Sequence, residues 1–462
     1  MATTRAYWGS AGVGPHVRPT RVEDNVRRME DMSRRFRLLP LVMVCAAGML
    51  AAACQSSAGT QASGNGGGNG SSGPSGGPTK TSKPKPPDTG LIISPATGST
   101  NVNPANGITV SSTKGKIKSV VVTGDEVTGK LNGTGTQWHS DWTLPVDATL
   151  HVTATAVNTS GQTVHLTSTF KTLNPSSTFT TQIFEGFRQT YGVGMPIILT
   201  FSKPIKNKAA VEKSLVLTSS KPVVGGWYWD TDQTLVFRPR QYWPQNTTVS
   251  FTGHLNGVEG GPGLYGYHTL TQQFKIGRSL IVVASTASHH MKLYKDGKLY
   301  RTWPISSGKP GDNTPNGTYL TIEKGNPVLM KGPGYRLEVP WSVRFTWSGD
   351  YLHDAFWSVG EQGFTNVSHG CVNMAPADAE AYYKLAVPGD PVTILGSPRH
   401  GVWDNGWTYW FLTWEQFVKG SALHMAVEVS PHGSTFVAPT ALTAAKGSAP
   451  LTQPWPKNSW AS

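Results

Sequence analysis

Cysteine is nearly absent from this chain, with three in 462 residues, at positions 45, 54 and 371. The first two lie in or beside an N-terminal apolar segment. If that segment is removed and Cys54 is modified, Cys371 is the one free thiol and no intramolecular disulfide can form. There is no CxxC and no fourth ligand at metal spacing, which excludes the usual structural zinc sites. Charge is scarce as well: Asp, Glu, Lys and Arg make up 15% of the residues, with 27 acidic against 40 basic. Long apolar runs are missing apart from one, Leu38 to Ala53, and at sixteen residues it is short of the roughly 20 that a membrane-spanning helix needs. What the chain has in quantity is 52 Gly, 33 Pro and 16 Trp. That composition belongs to a turn-rich, β-rich protein, and the length suggests about three domains.

The N-terminus reads as an export address. Met32-Ser33-Arg34-Arg35-Phe36-Arg37 is a basic head, the apolar run follows, and Ala51-Ala52-Ala53 places small residues directly before Cys54. This pattern resembles a bacterial lipobox, in which the cysteine is lipidated and becomes the mature N-terminus, although Leu50 stands one position further from the cysteine than usual. Plain secretion and a retained anchor are the other readings. Residues before Met29 or Met32 are unlike a signal sequence and suggest an over-extended start. Residues 1–53 hold eight Arg and four acidic residues, so +4 of the formal +13 lies there and +9 remains for the rest. A basic exported protein suits anionic lipid or the carboxylates of a cell wall. Nucleic acid is not expected, because no concentrated basic motif is present.

Beyond a signal-and-lipobox region at 1–54, residues 55–90 form a Gly/Ser/Pro/Lys tract with almost no apolar side chains, a flexible tether of on the order of 100 Å when stretched. From 91 to 172 short alternating stretches predict an immunoglobulin-like sandwich. Leu150 to Val157 and Thr163 to Thr167 are paired strands about a turn at Asn158-Thr159-Ser160-Gly161, and Ile117 to Thr123 is another strand. A second such unit spans 173–277, with strands at Ile197 to Phe201, Thr234 to Phe237 and Thr248 to Phe251, and a tight loop at Gly260-Gly261-Pro262-Gly263. A third unit, 278–397, opens with a hairpin about Asp296-Gly297 and contains a short helix from Pro376 to Leu385. In the tail, 398–462, Trp403, Trp407, Trp410 and Trp414 recur at helical spacing, with Phe417 one turn on and Gly420 as a stop. That stripe predicts a C-terminal helix packed on the third unit.

The chemistry gathers at Ser368-His369-Gly370-Cys371-Val372-Asn373, with His353 eighteen residues before the cysteine. A nucleophilic thiol needs a base, an orienting partner for that base, and donors for an oxyanion. His353 and His369 are the nearby imidazoles. In an extended segment His369 lies on the same face as Cys371, whereas His353 must come from a neighbouring strand. Gly370 permits close backbone approach. The surroundings read as those of an activated thiolate.

His353, fourteen intervening residues as the motif is counted and then Ser-His-Gly-Cys-Val-Asn resemble the signature of the L,D-transpeptidases, cysteine enzymes that cross-link peptidoglycan. The likeness extends through Thr314-Pro315-Asn316-Gly317-Thr318-Tyr319, Tyr335-Arg336, Gly225-Gly226-Trp227-Tyr228-Trp229, the loop at Gly260 and the Trp-rich tail. It implies a lipoprotein form with two immunoglobulin-like domains, as found in high-GC Gram-positive bacteria. The expected fold is therefore mainly β: two sandwiches, an L,D-transpeptidase catalytic β-sandwich with short helices, and a C-terminal helical extension. By resemblance Cys371 is the nucleophile and His353 its base. Tyr335, with the Gly370 and Cys371 amides, forms the oxyanion hole. Ser368, His369, Asn373 and Trp357 surround the acyl-donor pocket, and Met330 lies in a lid shorter than is usual. The residue after the histidine is commonly Ser; here it is Asp354, acting through its carbonyl or through its side chain. The implied reaction releases D-Ala from a tetrapeptide stem through a thioester and passes the acyl group to the amine of a second stem, giving a 3→3 cross-link. Neither metal nor organic cofactor is implied, and carbapenem β-lactams are implied inhibitors. An L,D-carboxypeptidase, with water as acceptor, and a non-catalytic wall-binding lipoprotein are the alternatives. The SxxK match at Ser111-Ser112-Thr113-Lys114 lacks a KTG partner, and a sortase would need an Arg in a context that Arg399 does not offer.

Overall fold

The computed structural model describes residues 88–332 and 335–439. The apolar segment, Cys45, Cys54, the tether as far as residue 87 and the chain beyond residue 439 lie outside the described residues. Among those described, no helix is long and apolar enough to cross a membrane.

The chain first builds a small sandwich. One sheet orders Leu91–Ser94, Thr109–Ser112, Gln137–Ser140 and Gly129–Leu131; the other orders Gly115–Thr123, Thr149–Asn158 and Thr163–Lys171. Along Thr149–Asn158 the alternate residues Leu150, Val152, Ala154 and Ala156 are buried, the period of two that a half-buried strand requires. Val110, Leu144 and Phe170 complete that core. The turn forms because the Asn158 side-chain oxygen accepts from the Ser160 and Gln162 amides, and Gly161 takes a positive φ of 78°.

In the second sandwich a four-stranded sheet (Thr190–Tyr191, Leu270–Ile276, Thr247–Gly253, Leu215–Ser219) faces a six-stranded one. Two strands of the six, Ala426–Ser430 and Gly433–Val437, come from the tail and extend the sheet beyond Val223–Trp229.

The third unit places the five-stranded sheet Lys298–Pro304, His290–Lys295, Leu280–Ser285, Pro391–Leu395, Gly317–Leu320 against the four-stranded sheet Glu323–Gly325, Ser342–Arg344, Tyr351–Asp354, Val372–Met374. Between them pack Val282, Leu293, Phe345, Leu352, Val372 and Ile394, all fully buried. The hairpin turns at Asp296 and Gly297, both with positive φ, as a two-residue turn between twisted strands demands. The helix spans Pro376–Leu385, with Pro376 in its first turn. A separate two-stranded sheet pairs Val328–Gly332 with Tyr335–Val339, the stretch in which the lid is expected.

The tail departs from the helix expected of it. It contains a 3-10 turn at Tyr409–Phe411, a six-residue helix at Trp414–Lys419 restarted by a capping box at Thr413 and Gln416, and then the hairpin that joins the second sandwich. Its aromatic residues serve different neighbours. Trp403 and Phe417 pack on Tyr228, Trp407 on Phe184 and Trp347, and Trp410 on Tyr242. The buried Arg238 guanidinium lies over the rings of Trp410, Trp414 and Phe417 at 4.6, 5.8 and 4.4 Å. Glu212, also buried, accepts from Trp229 Nε1, Ser421 Oγ and the Ala422 amide at 2.7, 2.6 and 2.6 Å. The tail is thus anchored mainly on the second sandwich. The bidentate Arg278–Asp390 pair, at 2.7 Å for each bond, lies where the third unit begins.

Candidate active site

The strand that carries His353 and the strand that follows Cys371 run side by side. Tyr351–Asp354 pairs in parallel with Val372–Met374, Leu352 opposite Val372 and His353 opposite Asn373. Cys371 stands one residue before the second strand, close to the histidine strand it flanks. The sequence-based expectation that His353 arrives from a neighbouring strand describes this arrangement.

The imidazole is buried, and its Nδ1 lies 2.7 Å from the backbone carbonyl of Asp354. A carbonyl only accepts, so Nδ1 carries the proton and Nε2 keeps its lone pair. Burial pushes the His353 pKa down to about 4, opposed by that hydrogen bond. The orienting partner is therefore the main chain of residue 354. The Asp354 side chain is used elsewhere. It accepts from the Phe356 amide, its Oδ1 finds no hydrogen-bond partner, and burial raises its pKa.

Cys371 is partly exposed by surface area yet closely surrounded. Burial pushes the thiol up to about 12, the Asp350 carboxylate adds to the rise, and a hydrogen bond from the Tyr351 amide opposes it. The thiol directs its proton at the Gly349 carbonyl, 3.7 Å away. Burial and the Asp350 charge thus both favour the neutral thiol, and burial favours the neutral imidazole.

The cysteine loop is fixed from several sides. Ser368 Oγ donates to the Cys371 carbonyl at 2.5 Å and accepts from the Gly370 amide at 3.1 Å. Thr314 Oγ1 donates to the Gly370 carbonyl at 2.7 Å and accepts from the Gly308 amide. Gly370 adopts φ +128°, and a Cβ there would stand 2.5 Å from Asp350 Oδ1. The Gly370 amide is thus engaged by Ser368 in the resting loop and is not a free oxyanion donor. Asn373, expected around the acyl-donor pocket, is buried and donates to Ser358 Oγ at 2.9 Å, bracing the turn Phe356–Ser358. That turn presents Trp357, exposed, 6.0 Å from the His353 ring.

His369 is exposed. Its ring lies 5.3 Å from Tyr335, and its Nε2 is 3.0 Å from Lys309 Nζ, so it forms a wall with the lid and not a second base at the thiol. Tyr335 opens the second lid strand, and its phenol pKa is raised by partial burial and then by the charges of Cys371, Asp312 and Asp350. Met330 sits mid-lid opposite Leu337, half-buried. Sequence reasoning missed Lys309, Ser358 and Asp350. The signal for Asp350 was its place three residues before His353; nothing in its neighbours marked it. Among the described residues no cluster of His, Cys, Asp or Glu could hold a metal ion.

A thiol one residue before a strand and a tautomer-fixed imidazole on the paired strand are the parts that cysteine-dependent acyl chemistry needs. Residues 279–394 match the L,D-transpeptidase catalytic domain family, and residues 99–259 match the bacterial Ig domain family. L,D-transpeptidase 5 of Mycobacterium tuberculosis is 34% identical over 363 residues, covering 75% of this chain and 80% of that protein. L,D-transpeptidase 2 of the same species is 28% identical over 348 residues, covering 72% and 85%. A solved structure of the LD transpeptidase LdtMt1 in complex with imipenem is 33% identical, covers 46% of this chain and 97% of its own, and superposes with a TM-score of 0.40. The chain belongs to the L,D-transpeptidase family.

Proposed function

We propose that Cys371 and His353 carry out L,D-transpeptidation of peptidoglycan stems. The observation that carries this reading is the His353 imidazole, whose Nδ1 is tied to the Asp354 carbonyl so that its Nε2 is left for the thiol. In the acylation step, Cys371 Sγ attacks the carbonyl of the diamino acid that precedes the terminal D-Ala. The thiol proton passes to His353 Nε2 as the S–C bond forms, and His353 returns it to the departing D-Ala nitrogen as the C–N bond breaks. In the second step the side-chain amine of another stem attacks the thioester, the C–S bond breaks, and the thiol is restored. Burial favours the neutral form of both groups, which fits transfer of the proton during attack.

Tyr335 and the Cys371 amide are proposed to face the oxyanion, and Gly370 joins them only if Ser368 releases its amide. Trp357, Met330 and His369 border the donor pocket, while Ser368 and Asn373 hold its walls in place. Carbapenems present a strained carbonyl to the same thiol and are proposed as acylating inhibitors. The apolar run, the small residues before Cys54 and the tether support an exported protein anchored to the membrane by lipid on Cys54. Lipid labelling that vanishes in Cys54→Ala checks that proposal; labelling that persists overturns it.

The decisive assay incubates the purified enzyme with a disaccharide-tetrapeptide and follows products by mass spectrometry. Dimers joined 3→3 with free D-Ala are expected. Tripeptide alone would make the protein an L,D-carboxypeptidase, and unchanged substrate would refute both.

A further inference from the structure

A carboxylate is an awkward neighbour for a nucleophile that must become negative. Asp350 is nevertheless built into that position. It is 7% exposed and directly precedes the histidine strand. Its Oδ2 accepts from Thr346 Oγ1 at 2.7 Å and from Ser348 Oγ at 3.0 Å. Its amide donates to Thr346 Oγ1, and its carbonyl accepts from the Phe345 amide. The carboxylate cannot rotate away without breaking these bonds. Oδ1 is left turned toward Gly370, at 2.5 Å from where a Cβ would stand, which makes the glycine a window between the carboxylate and the cysteine loop. Lys309, the basic residue beside the cysteine loop, is occupied by Asp312 at 3.4 Å and by His369 at 3.0 Å, so it does not neutralise this charge.

The reaction offers a reason for tolerating this charge. The thioester on Cys371 can be resolved by water or by an amine that reaches the site as an ammonium ion. We infer that Asp350 is the residue that selects a cationic amine over water as the acyl acceptor, holding the ammonium group of the incoming stem beside the thioester. This inference rests on the transpeptidase reading above. The ammonium loses one proton to solvent, and the amine attacks the thioester carbon and passes a second proton to His353 Nε2 as the C–N bond forms. The C–S bond breaks, and His353 protonates the thiolate to the thiol. The net change is thioester plus ammonium to amide plus thiol plus one proton. Asp350 acts on the approach of the charged acceptor, so its effect falls on acceptor KM and not on the chemistry of a neutral nucleophile.

The test forms the acyl-enzyme with a tetrapeptide donor and resolves it with three nucleophiles: a stem bearing a diaminopimelate amine, hydroxylamine (uncharged at neutral pH), and water. In Asp350→Asn, which keeps an acceptor for Thr346 and Ser348, the ratio of amine transfer to hydrolysis is expected to fall about tenfold, the equivalent of ~1.4 kcal/mol. The ratio of hydroxylamine transfer to hydrolysis is expected to hold. Equal changes in both ratios, or none in either, overturn the inference. Should the variant not fold, the wild type is titrated with salt. Amine transfer must then weaken as ionic strength rises while hydroxylamine transfer does not; a flat response overturns the role. Absence of any thioester mass in the wild type is the separate failure of the transpeptidase reading, and it takes this inference with it.

Discussion

Replacing Gly370 by Ala puts a methyl group where the structure has room for none. The backbone there has φ +128°, a region that costs a residue with a Cβ about 1–3 kcal/mol. The new Cβ would stand 2.5 Å from Asp350 Oδ1, so about 1 Å must be found before the pair reaches ordinary contact. Asp350 cannot supply it, being held by Thr346 and Ser348, and the far side of Gly370 is tied to Thr314 at 2.7 Å. The displacement therefore passes to Cys371. Strain and collision together are expected to destabilise the fold by about 3 kcal/mol, a fall in Tm of roughly 6–10 °C for a domain of this size. Moving the nucleophile by even part of an ångström is expected to slow acylation by about 10- to 100-fold, on the order of 100-fold per ångström. Differential scanning fluorimetry reads the first effect and single-turnover acylation by a carbapenem reads the second. Asp350→Ala in the same chain relieves the collision but not the φ strain, so the double variant should recover part of the stability. If Gly370→Ala melts with the wild type and acylates at its rate, the cysteine loop is not held by these contacts.

Three further outcomes concern buried groups. Burial raises Glu185 to about 8, so the folded state keeps a proton that the unfolded chain has lost above pH 4.5. Stability is then lost as pH rises from about 4.5 through 8, by about 3 kcal/mol at pH 7, and Glu185→Gln should flatten Tm against pH across that window; an unchanged slope contradicts it. His353 has the opposite sign. Its folded pKa of about 4 lies below the ordinary value of 6.5, so stability falls as pH drops from 6.5 through 4 and acylation persists to near pH 4 before failing. A loss of acylation centred on pH 6.5 would mean that the imidazole is not desolvated. Arg238→Ala removes a cation from the rings of Trp410, Trp414 and Phe417, should cost about 3 kcal/mol, and should speed hydrogen exchange in the 426–437 hairpin; unchanged exchange there would deny that the clamp holds the tail.

Much of the fold could be read from local pattern, because its signals are local. Alternation marked Leu150 to Val157 as a half-buried strand, Asp296-Gly297 marked a hairpin, and Pro376 marked the start of a helix. The tail misled for a physical reason. Trp403, Trp407, Trp410 and Trp414 fall at helical spacing, but spacing records which positions are apolar and not whether they share one partner. Here successive rings meet Tyr228, Phe184, Trp347 and Arg238, which lie far away in sequence, and the chain bends between them. At the site, residue types identified Cys371 and His353, whereas their protonation states depend on burial that no motif reports. Resemblance put Asn373 around the donor pocket and the Gly370 amide in the oxyanion hole, but no motif reports that the Asn373 side chain bonds Ser358 or that the resting loop gives the Gly370 amide to Ser368. Asp354 shows the same limit: only the folded chain reveals that its carbonyl, and not its carboxylate, serves His353.

Whether Cys371 is the nucleophile is tested most directly by intact-protein mass spectrometry, with peptide mapping, after incubation with a tetrapeptide stem or a carbapenem. The predicted result is a covalent adduct on Cys371, formed with loss of D-Ala from the stem and absent from Cys371→Ala. An adduct on any other residue, or one that survives in Cys371→Ala, would contradict it.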